Sequence, residues 1–244
     1  LKNELMFERK VCFTNDLPPE EVVKILVEEK VDHLIQGEDC EAHRQRIEFF
    51  ERDRQTFFDH PLKPWVTGSD TDRFGEMALK TMADKSRSLE LIERILRGTY
   101  GQNLTDSGLK VLEELLMNAI HDAPQIAIQN GRETEVFASR PAVRLRYLFS
   151  KNAITFACED FYGELIPREV FGRIHSIYKA GVRESIRMDS KTGAGLGCFI
   201  MLQECQEMVF AVQPQIKSMV VASLTVEPSL KKRTRFLKNV HLVY

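Results

Sequence analysis

The alternation of apolar side chains between residues 143 and 158 constrains the fold more than any other feature of the sequence. Val143, Leu145, Tyr147 and Phe149 recur at every second position. Ser150-Lys151-Asn152 then supplies turn-forming residues, and Ile154, Phe156 and Cys158 resume the alternation. Successive side chains of a strand point to opposite faces, so this pattern predicts a β-hairpin with one face buried. A lone hairpin is unstable in water and needs more strands or a helix layer over its apolar face. Both are predicted nearby. Phe74, Met77, Met82, Leu89, Ile92 and Leu96 have helical spacing over Asp72 to Leu96, with Gly98 placed to end the helix. A second helix is expected from Thr105 or Asp106, both good N-caps, to about Asp122, before Pro124. Leu196 to Gln206 reads as a third helix, followed by strands at Met208 to Gln213 and Ser218 to Val226. Helices and hairpins in this order, without regular βαβ units, predict an α+β two-layer sandwich.

Upstream, Asp59-His60-Pro61-Leu62-Lys63-Pro64 and Thr67-Gly68-Ser69-Asp70 interrupt the periodicity and mark a linker. The expected organisation is therefore a helix-rich N-terminal region over 1–70 and a larger domain over 71–244. Within the first, Val11 to Thr14 reads as a strand, Pro18 to Glu29 as a helix and Val31 to Ile35 as a short strand. That order resembles the tail of a receiver-like βαβ domain, and a helix-rich extension explains the same residues. Residues 41–58 read as a charged amphipathic helix offering Ile47, Phe50, Phe57 and Phe58 for packing.

Charge and cysteine usage exclude several roles. Lys and Arg number 34 against 36 Asp and Glu, so no basic footprint for nucleic acid is present. The longest apolar run, Leu196 to Leu202, is too short for a membrane span, which needs about 20 residues. The first residues form no secretory signal, and the missing initiator Met points to a fragment of something longer. The five cysteines are odd in number and lack C-x-x-C spacing, and the six histidines form no metal-ligand pattern. A reducing cytoplasm and no structural metal are the expectations.

Three separated elements carry chemistry. On the helix that starts near Thr105, Glu114, Asn118 and His121 fall within one narrow stripe, opposite Leu112, Leu116, Ala119 and Ala123. Such a stripe is either the wet face of an amphipathic helix or the wall of a cleft. Counting by twos from Ile154 through Phe156 and Cys158 brings Asp160 onto the apolar strand face, so its carboxylate points inward. A buried acid needs donors, which a purine amine or a backbone N–H in the following turn can supply. Lys191-Thr192-Gly193-Ala194-Gly195-Leu196-Gly197 opens the helix from Leu196, where glycines permit close backbone approach and free N–H groups attract phosphate.

Taken in order, E-x-x-x-N at Glu114 and Asn118, the Asp160-x-x-Gly163 turn after a hairpin, and G-x-G-x-G at Gly193, Gly195 and Gly197 resemble the N, G1 and G2 boxes of the GHKL superfamily of ATPases and kinases. Ile166-Pro167-Arg168-Glu169 is similar to the run that follows the G1 box in histidine kinases. The resemblance spans Asp106 to Val226. One departure is that Phe161 and Tyr162 precede a single glycine where the family usually has D-x-G-x-G.

The resemblance implies a histidine-kinase-like ATPase fold that binds ATP and Mg²⁺. Asn118 would ligate the metal and Glu114 would act as proton acceptor. Asp160 would accept the adenine amine in the turn closed by Gly163. Gly193, Gly195, Leu196 and Gly197 would cradle phosphates, with His121, Lys191 and Thr192 as further phosphate partners. The charged stretch between Arg168 and Thr192 would be a lid. The activity implied is phosphoryl transfer to a signalling protein partner, or nucleotide sensing without turnover. Histidine kinases usually carry Asn at the position of Glu114, whereas anti-sigma serine kinases carry Glu. A homodimer is compatible with the sequence, and no nucleic acid or membrane insertion is expected.

Overall fold

The computed structural model describes residues 9–37, 40–52, 54–131, 143–181, 194–227 and 238–244. Its centre is one eight-stranded mixed sheet in the order β1-β2-β8-β6-β7-β5-β4-β3. The strands are β1 (Val11–Thr14), β2 (His33–Gln36), β3 (Arg73–Leu79), β4 (Val143–Phe149), β5 (Ala153–Asp160), β6 (Glu207–Gln213), β7 (Lys217–Thr225) and β8 (Asn239–Val243). The hairpin that dominates the sequence is β4–β5, in which Leu145 faces Cys158 and Tyr147 faces Phe156. β5 then pairs antiparallel with β7, and β6 with β7, so the middle of the sheet is an antiparallel meander.

Helices α1 (Pro19–Glu28), α4 (Met82–Thr99), α5 (Gln102–Met117), α7 (Pro167–Ala180) and α8 (Ala194–Glu204) form a layer on one face, where α5 and α8 pack together and α1 packs on α7. Ile154, Phe156 and Cys158 of β5, Met208 and Phe210 of β6, and Ala222 and Leu224 of β7 bury their side chains beneath this layer. The intervening residues Ala157, Val209, Ala211, Met219 and Val221 enter a second core on the opposite face. That core is closed by Phe50 of α2 (Cys40–Arg52), Phe57 and Phe58 of α3 (Arg54–Asp59), and Trp65 of a 3₁₀ turn, Lys63–Trp65. Both faces of the central strands are therefore buried, and a fully buried Phe stabilises the fold by about 1.5–3 kcal/mol relative to exposure.

The N-terminal strands are integral to the sheet. β1 and β2 pair in parallel around α1, which realises the strand–helix–strand reading of residues 11–35, and β2 pairs antiparallel with β8. The proline-bearing segment 59–70 carries the chain from the second-face helices to β3. Among the described residues, no helix is long and apolar enough to cross a membrane.

The helix expected over Asp72 to Leu96 is corrected. Arg73–Leu79 forms edge strand β3, pairing residue by residue with Phe149–Val143 of β4. The helix begins only at Met82, behind a capping box in which Asp84 N–H donates to Thr81 Oγ1 at 3.1 Å and Thr81 N–H donates to Asp84 Oδ2 at 3.0 Å. The helix expected from Thr105 or Asp106 starts three residues earlier, at Gln102, and both of those residues lie inside it.

Candidate functional site

Pro124 explains the first component of the site. A proline within a helix has no N–H to donate and its ring collides with the carbonyl four residues back, here that of Ile120. The chain does not stop there, as the sequence led one to expect. It widens into a π turn, Asn118–Asp122, in which Ala123 N–H donates to the Asn118 carbonyl, and then continues as α6 (Ala123–Gln129). Such bulges hold more residues per turn than an α-helix and recur at functional sites. Asp122 and Asn118 both stand on the wall of a pocket between α5, β5 and α8. His121, assigned to the stripe by α-helical spacing, is exposed instead, with its Nδ1 2.9 Å from Asp122 Oδ1.

Asp160 forms the second component. It ends β5 opposite Ser218 of β7, on the helix-covered face. Its Oδ1 accepts the N–H groups of Tyr162 at 2.8 Å and Gly163 at 3.3 Å, and Ser218 donates to the carboxylate as well. Backbone donors in the turn thus do serve the buried acid. They do not fully compensate it: burial pushes its pKa up to about 6 against these hydrogen bonds. Gly163 has φ 67°, and a Cβ there would stand 2.5 Å from the Gln213 carbonyl and 2.6 Å from the Ile216 nitrogen. Its glycine is required to seat the turn against the β6–β7 connection.

Asn118, Asp122 and Asp160 line one pocket with Leu115, Ala119, Ile126, Cys158, Val170, Cys198, Phe210 and Val220. With Glu164 at the same pocket, four polar side chains line a slot whose other walls are largely apolar. The slot is narrow, about 60 Å³, room for a few waters and well below the roughly 300–1,000 Å³ of ligand-filled pockets. Asn118 Nδ2 donates to Cys198 Sγ at 3.8 Å, directing the carboxamide oxygen away from the thiol. Burial, with the charges of Glu114 and Asp122, raises the Cys198 thiol to about 12, so it stays neutral.

Glu114 is one turn away and does not line this pocket. It lies in the groove between α5 and α8 with Lys110, Glu113, Phe199 and Gln203. Its carboxylate packs against Gly197, where any Cβ would collide with Oε2. Burial, then the neighbouring Glu113, raises its pKa above the usual carboxylate value. Gly195, Leu196 and Gly197 fall in the first turn of α8, which begins at Ala194. The first four N–H groups of a helix have no intrahelical acceptor. Lys191, Thr192 and Gly193, and the lid stretch from residue 182 onward, lie outside the described residues. No group of three or more His, Cys, Asp or Glu among the described residues is arranged to hold a metal.

The sequence matches no family model and no curated protein. Among solved structures, a chain in the crystal structure of the SiaB-SiaC complex from Pseudomonas aeruginosa is similar, with 13% identity and a TM-score of 0.46 over 70% of this chain and 99% of that one. Any functional assignment therefore rests on the pocket itself.

Asp122 and Cys198 are pocket residues that sequence reasoning missed. Asp122 was findable: it is four residues after Asn118, and Pro124 signals that the helix must deform there. Cys198 carried no comparable signal, because its place depends on how α8 docks against α5.

Proposed function

We propose that this chain is a GHKL-type ATP-binding domain that transfers phosphoryl to a signalling protein partner, with the site built by residues 71–244. The observation that carries the reading is Asp160, an acid buried in an apolar slot whose pKa burial raises to about 6 although the amides of Tyr162, Gly163 and Ser218 and the Ser218 hydroxyl reach it. An exocyclic amine entering the slot donates a further hydrogen bond to the carboxylate and selects adenine over guanine.

The other residues have chemistry that fits. Asn118 and Asp122 present oxygen ligands from one wall, and Mg²⁺ takes one or two such protein ligands, completing its shell with waters and phosphate oxygens. Bound Mg²⁺ neutralises charge on the phosphates. The first-turn amides of α8 at Gly195, Leu196 and Gly197 orient phosphate, while Lys191, Thr192, Gly193 and His121 are assigned by motif alone. Glu114, whose pKa burial and Glu113 raise above the usual carboxylate value and so make more basic, takes the proton of the attacking hydroxyl. A nucleotide must widen the slot to enter.

A second reading is favoured by one feature: Glu114 packs against Gly197 instead of lining the pocket with Asn118 and Asp160. A nucleotide sensor that changes a partner surface without turnover needs no base at the phosphate. Calorimetric titration with ATP, with and without Mg²⁺, tests binding, and phosphate release together with mass analysis of partners tests transfer. Failure to bind ATP in either condition removes both readings.

A further inference from the structure

On the face of the sheet opposite the pocket, four side chains form a row from α2 across β2, β8 and β6: part-buried Glu51, then His33, His241 and Glu207, all buried. His33 Nε2 is 3.2 Å from Glu51 Oε1, the two Nδ1 atoms are 3.2 Å apart, and His241 Nε2 is 3.4 Å from Glu207 Oε1. Both imidazoles are fully buried, with the Phe50 ring against His241.

The ends of the row are anchored by charge. Arg9 and Arg54 approach Glu51 Oε2 at 3.3 and 3.2 Å, and Asp32 lies 3.9 Å from Arg9. Arg46 and the Trp65 indole N–H reach Glu207 Oε2 at 2.7 and 2.9 Å. His43 of α2 adds a further electrostatic influence on His241. Both carboxylates are held ionised, so each imidazole nitrogen facing one presents a proton: His33 Nε2–H and His241 Nε2–H. Between the rings, two bare Nδ1 atoms would oppose lone pairs at 3.2 Å, and two Nδ1–H groups would oppose protons. One Nδ1 proton satisfies the contact.

We propose that His33 and His241 share three ring protons and one positive charge between Glu51 and Glu207, forming a latch that ties the β1–α1–β2 unit and α2 to the rest of the sheet and opens in acid. A fourth proton sets N–H against N–H and adds a second buried cation. His241 is the neutral partner: burial holds its pKa below the ordinary imidazole value. Below about pH 6.5 the unfolded or opened chain therefore takes up a proton that the closed latch refuses, so closure weakens as pH falls.

Long-range proton–nitrogen spectra of the full chain at pH 7, labelled with nitrogen-15, count the protons directly, and the two buried rings are recognised by their slow exchange without any variant. The expected result is three protonated nitrogens and one acceptor. Two acceptors, or none, would overturn the proposal. Amide exchange supplies the second arm: from pH 7 to pH 5, after correction for intrinsic rates, protection over 9–36 and 40–52 is expected to fall about tenfold relative to the β4–β5 hairpin. His241→Gln should flatten that change, and an unaltered ratio in the wild type overturns the latch. Neither readout depends on nucleotide.

Discussion

Asp160 and Glu207 are both buried carboxylates, one on each face of the same sheet, yet their environments push them in opposite directions. Glu207 faces Arg46, the Trp65 indole and His241, and its pKa falls to about 2 despite burial. Among the described residues Asp160 faces no cation, and although the amides of Tyr162, Gly163 and Ser218 and the Ser218 hydroxyl reach it, burial raises its pKa to about 6. The first is held by a cation and an indole donor on Oε2 that belong to the fold, while its Oε1 is 3.4 Å from His241 without a hydrogen bond; its place is structural. The second has neutral donors and no such cation, in a slot that opens toward Asn118 and Asp122. A fold can tolerate such a raised pKa where a ligand later supplies a further donor, and this asymmetry separates the binding face from the holding face.

The largest effect should come from the cation-held acid. Glu207→Ala leaves Arg46 and the Trp65 N–H without their buried acceptor and should cost about 3–5 kcal/mol of stability in denaturant titration. Because the folded pKa of Glu207 is depressed, its contribution is present above the ordinary carboxylate range and should disappear as pH falls from about 5 towards 2. Stability that rises as pH falls through that window would place Glu207 in the same class as Asp160.

Within the binding face, Glu114 and Asn118 sharpen the contrast between groove and pocket. Glu114→Gln should leave ATP affinity unchanged while turnover drops about 10²- to 10⁴-fold, whereas Asn118→Ala should lose Mg²⁺-assisted affinity and turnover together. Affinity and phosphate release for the two variants check this. Wild-type turnover in Glu114→Gln removes that residue from the mechanism, and absence of turnover in the wild type favours the sensor.

Asp160→Asn tests the raised pKa itself, with the opposite sign to Glu207. Its folded pKa is raised, so ionised Asp160 opposes folding above about pH 6 and the penalty is relieved as pH falls towards the ordinary value of 3.8. The variant should therefore be more stable than wild type at pH 7.5, by up to roughly 2 kcal/mol, with the difference shrinking by more than half at pH 4.5. Thermal melts at both pH values measure it, and a variant less stable at pH 7.5 would show that Asp160 is already satisfied by its turn.

Much of the binding face was legible because its signals are local. Alternation placed Ile154, Phe156, Cys158 and hence Asp160 on one strand face, and the helix after the glycines and the β6–β7 hairpin could be read in the same way. β3 was hidden because Phe74 and Met77 are three apart, a spacing that also suits a helix, and an exposed edge strand need not alternate cleanly. The π turn was hidden because helical periodicity assumes 3.6 residues per turn, which Pro124 breaks. The holding face was the least legible. His33 and His241 are 208 positions apart and meet only when β2 pairs with β8, and β8 itself is five residues long. Short strands brought together by distant pairing leave little periodic trace.

The central claim, that the buried Asp160 with its raised pKa marks an adenine-nucleotide pocket, is tested most directly by calorimetric titration of ATP with Mg²⁺ into wild type and Asp160→Ala. A charge-assisted hydrogen bond contributes about 1.5–3 kcal/mol, so the account predicts saturable binding to wild type and an affinity weaker by about one to two decades in a variant that remains folded. Equal affinity in the two proteins, or no binding to wild type, would contradict it.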